Sequence, residues 1–120
     1  MLSFTQTQFD ETAARRAEGF RAHLTEWLDA RIDPPPSADP TFEAALIEQI
    51  ARARGYGVTH ERDVALFVYI ERLTGYALDD PALDWPRDIL AEPDASGGSK
   101  MRRILFGMLT LAQREGAAAS

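Results

Sequence analysis

The fold is decided by residues 55–90, GYGVTHERDVALFVYIERLTGYALDDPALDWPRDIL, and above all by the central run Asp63-Val-Ala-Leu-Phe-Val-Tyr-Ile-Glu71. Seven apolar residues stand there between two charges, without a clean polar face. A helix that is apolar on nearly all sides is a buried helix. A strand is the competing interpretation, because valine, phenylalanine and tyrosine favour sheets. We predict a helix over 60–74, because Thr59 can cap its start, Gly75 can close its end and no second strand is visible.

Helical signals continue upstream of this run. A capping-box pattern at Thr5 and Gln8, with Phe4 and Phe9 at its staple positions, begins a stripe of apolar residues that predicts a first helix over 5–32. The mid-helix glycine, Gly19, suggests the close approach of another helix. Three prolines at 34–36 stop the first helix, since proline cannot continue one. Asp39-Pro40 then predicts a second helix over 40–54, with an N-cap residue followed by proline.

Downstream of Gly75, two short proline-started turns are expected over 81–91, with Trp85 as a lid on the core. The last helix is predicted over 99–115, capped by Ser99 or, less favourably, by Ser96, and ended by Gly116. Its predicted apolar stripe consists of Met101, Ile104, Leu105, Met108, Leu109 and Ala112. We therefore predict an all-α single domain over residues 1–120, a bundle of four main helices plus a short turn-rich helical segment.

The composition of the chain limits the classes of function that it can have. The 120 residues contain no cysteine and carry a net charge of −6. An acidic chain repels phosphate backbones, so we expect no nucleic-acid partner. No apolar run approaches the ~20 residues of a membrane span, and residues 1–11 lack the basic start and apolar core of a signal peptide. We expect a cytoplasmic protein with no membrane contact.

Residues with catalytic or ligating chemistry form no recognisable pattern. His23 and His60 lie on different predicted helices without metal-ligand spacing. The aspartates between residues 79 and 88 lack the spacing, glycine and glutamate of a calcium loop. Gly97-Gly98 has no leading glycine for a phosphate loop. We therefore expect no catalytic residue, cofactor or metal, and a protein that is not an enzyme, with an enzyme of unrecognised class as the remote alternative.

The first turn of the last helix is basic, at Lys100, Arg102 and Arg103, although the helix dipole disfavours cations there. We expect acidic side chains to compensate them. The candidates are Asp79, Asp80 and Asp84.

Binding to another protein is the function class that composition and motifs leave open. Some large apolar side chains lie beyond the narrow stripes of the first and last helices, and a small domain does not cover every such residue. The candidate partner surface consists of Trp27, Phe106, Met108 and Leu111. The competing interpretation for each residue is burial in the core.

Several segments resemble a known family, and the resemblance is strongest between residues 51 and 90. They are Ala51-Arg52-Ala53-Arg54-Gly55-Tyr56-Gly57-Val58-Thr59, then Glu61 and Asp63, Phe67 and Gly75, Asp79-Asp80-Pro81, Trp85 to Leu90, and the early Gln8-Phe9. This pattern resembles small bacterial proteins encoded beside type VI secretion effectors and their adaptor chaperones. The resemblance implies a non-enzymatic accessory or co-chaperone that binds an effector or its adaptor before secretion. An immunity protein that neutralises a co-encoded toxin is the alternative.

Overall fold

Helices account for the regular structure in this computed structural model, which describes the backbone of residues 6–119 and the side chains of residues 14–114. The all-α prediction is confirmed, because the described range contains five α-helices, a short 3-10 turn at Pro36–Ala38 and no strand. In chain order the α-helices are α1 (Gln6–Asp29), α2 (Phe42–Gly55), α3 (Glu61–Thr74), α4 (Asp84–Leu90) and α5 (Gly97–Ala119). Four of them are the predicted main helices, and α4 is the predicted short segment.

Contacts group the chain into two compact units, Met1–Leu46 and Ile47–Ser120, with the boundary inside α2. In the first unit α1 contacts the 3-10 turn, where the Asp29 carboxylate accepts hydrogen bonds from the backbone N–H and the hydroxyl of Ser37. Its buried apolar side chains are Leu24, Leu28, Phe42 and Leu46. In the second unit α5 contacts both α3 and α4.

The core of the second unit confirms that the central apolar run is a buried helix. Phe67 is fully buried at the middle of α3, and Val64, Val68 and Ile70 are buried beside it. The other buried apolar side chains of this unit are Ile50, Ala53, Val58, Leu78, Leu90, Met101 and Ile104. Full burial of a large apolar side chain stabilises the fold by about 1.5–3 kcal/mol, and α3 contributes more of the described buried apolar side chains than any other helix of this unit.

The first helix is shorter than predicted. α1 ends at Asp29 and not at residue 32, and the N–H of Arg31 then bonds to the Leu28 carbonyl three residues earlier, which tightens the last turn. The predicted cap at Thr5 and Gln8 lies outside the described side chains. The expectation of a helix against Gly19 is wrong, since no described atom lies within 4 Å of where its Cβ would stand.

The second helix begins at Phe42, two residues later than predicted. The Asp39 carboxylate accepts the N–H of Thr41 at 2.8 Å and so forms a turn ahead of the helix. At the other end, Gly57 adopts φ +83° and the N–H of Val58 bonds to the Ala53 carbonyl at 3.0 Å. This is a Schellman ending, with the buried Val58 as its apolar contact.

The third helix begins at Glu61 and ends, as predicted, at Thr74. His60, and not Thr59, occupies the N-cap position, and its side chain makes no capping hydrogen bond. Gly75 closes the helix with φ +76°, and its N–H bonds to the Glu71 carbonyl. The prediction for the closing glycine is therefore confirmed, and the prediction for the opening cap is wrong.

The last helix extends beyond both predicted ends. It begins at Gly97, because the Ser96 hydroxyl accepts the N–H of Ser99 at 3.1 Å, so the less favoured cap is the one used. It continues to Ala119, so Gly116 does not end it. The predicted apolar stripe is also too wide, since Leu109 and Ala112 are exposed. Among the helices within residues 6–119, none combines the length and apolar character needed to cross a bilayer.

Candidate functional site

The side chain with the greatest apolar exposure in the described part of the chain is Phe106, at 73%. Leu109 follows it by three residues at 55% exposure. Residues three and four apart lie side by side on a helix, so Arg102, Phe106, Leu109 and Gln113 form one stripe along α5. All four are exposed. We call this stripe the α5 outer face.

Three of the four predicted partner residues lie on α5, but not together. Met108 is partly buried on the side of the buried Ile104, whereas Phe106 points away from that side. Leu111, at 42% exposure, lies more than a quarter turn from Phe106. Of the predicted partner residues, only Phe106 lies on the α5 outer face. Leu109, which we expected in the core, lies beside it on that face.

The fourth predicted residue, Trp27, is on α1. It is partly buried, and the guanidinium of Arg31 lies 4.3 Å from the centre of its ring. Arg31 also donates to the Trp27 carbonyl at 3.0 Å. The indole face is therefore covered by a cation one turn further along the chain.

The first turn of α5 is held by a buried lysine. Lys100 is 5% exposed, and its Nζ donates hydrogen bonds of 2.8 Å to the carbonyls of Tyr56 and Leu90. These are carbonyls at the C-terminal ends of α2 and α4, where intrahelical partners are missing and cations are favoured. Lys100 thus ties the ends of two helices to the start of a third.

Two glycines let neighbouring groups approach α5 closely. A Cβ at Gly97 would overlap the Gly57 carbonyl oxygen and stand 2.8 Å from Cα of Val58. A Cβ at Gly107 would stand 2.5 Å from the ring of Trp85, so the indole lies directly against the helix backbone. With Lys100, these contacts fix α5 along its inner side and leave the outer face to solvent.

The cations at the start of α5 are not compensated by the predicted aspartates. Arg103 instead donates two hydrogen bonds, of 2.5 and 2.8 Å, to the Glu92 carboxylate. The hydrogen bond from Arg103 lowers the pKa of Glu92, and the bond to Glu92 raises the pKa of Arg103. Among the described side chains Arg102 forms no ion pair. The expectation about Asp79, Asp80 and Asp84 is therefore wrong.

Asp79 belongs to a second polar group, which centres on the buried Glu71. Arg52 donates to both oxygens of the Glu71 carboxylate, at 2.7 and 2.9 Å, and to Asp79 at 3.0 Å. The backbone N–H of Leu78 adds a bond of 2.7 Å to Glu71. The Glu71 bond raises the pKa of Arg52 although burial opposes this. A bidentate guanidinium pair of this kind is strong and directional, so it fixes α2, α3 and the segment after α3.

Two further side chains complete this polar group. The Gln49 amide donates to Glu71 at 3.0 Å, and the Tyr56 hydroxyl donates to Asp79 at 3.0 Å. Burial raises the pKa of Tyr56, and the hydrogen bond to Asp79 adds to the rise. Nearly every carboxylate oxygen here accepts from a fixed donor. The group therefore has the features of a structural clamp, in which the carboxylates are engaged and do not face a substrate.

The remaining chemical candidates from the sequence are dispersed. His23 and His60 are both exposed, Asp80 accepts the N–H of Ala82, and Asp88 lies 3.7 Å from Arg87. Within the described side chains no three histidines or carboxylates gather closely enough to hold a metal ion.

Open depressions among the described side chains include one in each unit. The first, of about 620 Å³, lies between α1 and the start of α2, and its lining includes the buried side chains of Phe42 and Leu46. The second, of about 550 Å³, lies between the starts of α3 and α5 and adjoins the α5 outer face through Arg102. Its other charged and titratable lining residues are His60, Glu61, Arg62 and Asp63.

Comparison of the chain with protein-family models, with curated proteins and with solved structures finds no match. The α5 outer face is therefore the candidate site on its geometry. Helical spacing alone could have paired Phe106 with Leu109, because they lie three residues apart. Spacing could not show which side of α5 faces the core.

Proposed function

We propose that this protein is a non-enzymatic accessory protein that binds another protein through the α5 outer face. The observation that carries the proposal is the exposure of Phe106 and Leu109 side by side on a helix whose other side is firmly packed. Exposed apolar side chains scattered singly are ordinary, whereas contiguous apolar surface can mark an interaction site, and Phe106 and Leu109 are contiguous on α5.

The sequence resemblance supports the kind of partner. It favours a type VI secretion effector or its adaptor chaperone, bound in the cytoplasm before secretion. A rigid outer face suits this task, because a preformed helix surface loses little conformational entropy on binding. The two hydrogen bonds between Arg52 and Glu71 support a structural role for this ion pair.

Affinity purification tests the proposal. The tagged protein is expressed with the effector and adaptor encoded beside it, and we expect it to retrieve one of them. A Phe106→Ser/Leu109→Ser double variant should lose the partner and keep its fold, since both side chains are exposed. The matched control is Leu73→Ser/Tyr76→Ser, which removes two other exposed large side chains, one in the last turn of α3 and one just beyond it. Equal recovery by both variants would contradict the proposal.

A growth assay distinguishes the accessory role from the immunity role. The effector is expressed in the cytoplasm or periplasm with and without this protein. An accessory protein changes effector abundance or secretion without rescuing growth. Rescue that requires Phe106 would replace the accessory role with inhibition of the toxin at the same surface.

A further inference from the structure

We propose that the α5 outer face binds an amphipathic helix of the partner in which acidic residues flank the apolar ones. The inference rests on the proposed function, and it specifies the chemistry that the partner presents to the same surface. It depends on two observations, the spacing of the apolar side chains and the charge around them.

The spacing of Phe106 and Leu109 fits a helix as the occupant. The two side chains form a ridge along α5, with the partly buried Thr110 beside them and Gln113 one turn beyond. A second helix can lay its own apolar residues along such a ridge, with anchors three or four residues apart. An extended strand would find no sheet edge here, since the described part of the chain contains no strand.

The charge around the ridge is positive. The residues of α5, 97–119, comprise four basic residues and one acidic residue, Glu115, although the whole chain carries −6. Three of the four, Arg102, Arg103 and Arg114, are exposed. Glu92 is paired with Arg103, and the depression beside Arg102 is lined by two acidic residues, Glu61 and Asp63, and one further arginine, Arg62. Carboxylates on the partner would meet Arg102, which lies at the N-terminal end of the ridge and forms no ion pair among the described side chains.

The apolar area is too small for a stable pair of identical copies. A phenylalanine side chain buries about 150–250 Å², so Phe106 and Leu109 together offer about 250 Å². A stable dimer buries about 800 Å² of total surface per partner, and about 65% of a homodimer interface is apolar. A charged helix that adds ion pairs to two apolar anchors is the better fit.

Two designed peptides test the inference with the full-length protein. Both are amphipathic helices with the same leucine positions, and their flanking positions are all glutamate in one and all lysine in the other. Fluorescence anisotropy gives each affinity at low and high salt. We expect the glutamate peptide to bind about tenfold more tightly at low salt, and the difference to shrink as salt screens the charges.

Variants assign the binding to the face. Arg102→Glu should remove most of the preference for the glutamate peptide, whereas Arg54→Glu, which changes the net charge equally on the exposed end of α2, should preserve it. Phe106→Ser should abolish binding. Circular dichroism and thermal unfolding of each variant verify that the fold is retained.

The outcomes separate this inference from the proposed function. Equal affinity for both peptides, lost in Phe106→Ser, would overturn the acidic partner and leave the docking surface standing. Binding of neither peptide would overturn the helical occupant, and the affinity purification then decides the proposed function alone. Phe106-dependent binding to phosphatidylserine vesicles, or a Phe106-dependent dimer in sedimentation velocity, would replace the partner helix with a lipid surface or a second copy.

Discussion

At the scale of single residues, close contacts decide where glycine is required. Gly107 lies under the ring of Trp85, and Gly97 lies against the turn that follows α2. Gly19 has open space around it. All three glycines lie in helices, so the local sequence does not show which of them is closely packed. Only the packing shows that two of them are constrained and one is not.

A matched pair of alanine substitutions tests this distinction. Gly107→Ala should lower the free energy of unfolding by about 1–3 kcal/mol, because the added methyl group forces the indole to move. Gly19→Ala should raise it by up to about 1 kcal/mol, because alanine favours the helix. Urea titration measures both. A neutral Gly107→Ala would show that Trp85 does not pack on α5.

Tyr56 makes stability depend on alkaline pH. Its pKa is raised in the folded protein, chiefly by burial, whereas an unfolded tyrosine titrates near pH 10. The stabilisation is complete below about pH 10 and is lost as the pH rises through the folded pKa, because the unfolded chain loses its proton first.

Tyr56→Phe should therefore reduce the alkaline loss of stability, at a cost of about 1 kcal/mol at neutral pH from the lost bond to Asp79. Urea titrations from about pH 9 to about pH 11 compare the two proteins, and the remaining tyrosines cancel in the comparison. An identical pH dependence in the wild type and the variant would contradict the assigned cause.

At the scale of elements, the Arg52 and Glu71 pair joins α2 to α3. Arg52→Met should lower the free energy of unfolding by about 3–5 kcal/mol, because it leaves the buried Glu71 carboxylate without its counter-charge. Arg52→Met/Glu71→Met should recover much of this loss. Denaturant unfolding of both variants and of Glu71→Met completes a double-mutant cycle. Additive effects of the two substitutions would show that the pair is not coupled.

The central helix carries a separate prediction. Phe67→Ala should lower the free energy of unfolding by about 3–5 kcal/mol, since Phe67 is fully buried and the cavity would be lined by a packed core. Urea titration measures the change, with the exposed Leu73→Ala as the control on the same helix. A near-neutral Phe67→Ala would show that α3 is not central to the second unit.

Element positions were largely predictable from the sequence, and their ends were not. The buried run at residues 64–70 identified α3, and Gly75 identified its end, because both signals are local. Ser96 and Ser99 compete for one cap, and local sequence cannot choose between them. The burial of Glu71 follows the spacing of Val64 and Phe67, yet its partner Arg52 depends on how α2 packs, which no spacing within α3 encodes.

At the scale of the whole molecule, the all-α class followed from the sequence because helical periodicity and caps recur along most of the chain. The candidate surface was only partly predictable. Phe106 was anticipated, and Leu109 was assigned to the core, because a stripe of apolar residues does not reveal how much of the helix other elements cover. The inner side of α5 is fixed by Lys100 and Gly97, which were not recognised in the sequence as contact residues.

The central claim, that the α5 outer face contacts the partner, is tested most directly by site-specific photo-crosslinking. A photoreactive phenylalanine analogue replaces Phe106 in one protein and Leu73 in another, in cells that express the neighbouring effector and adaptor. We predict a crosslink to the effector or adaptor from position 106 and none from position 73, although both positions are exposed. A crosslink from position 73 alone, or no crosslink from position 106 while the partner still copurifies, would contradict the claim.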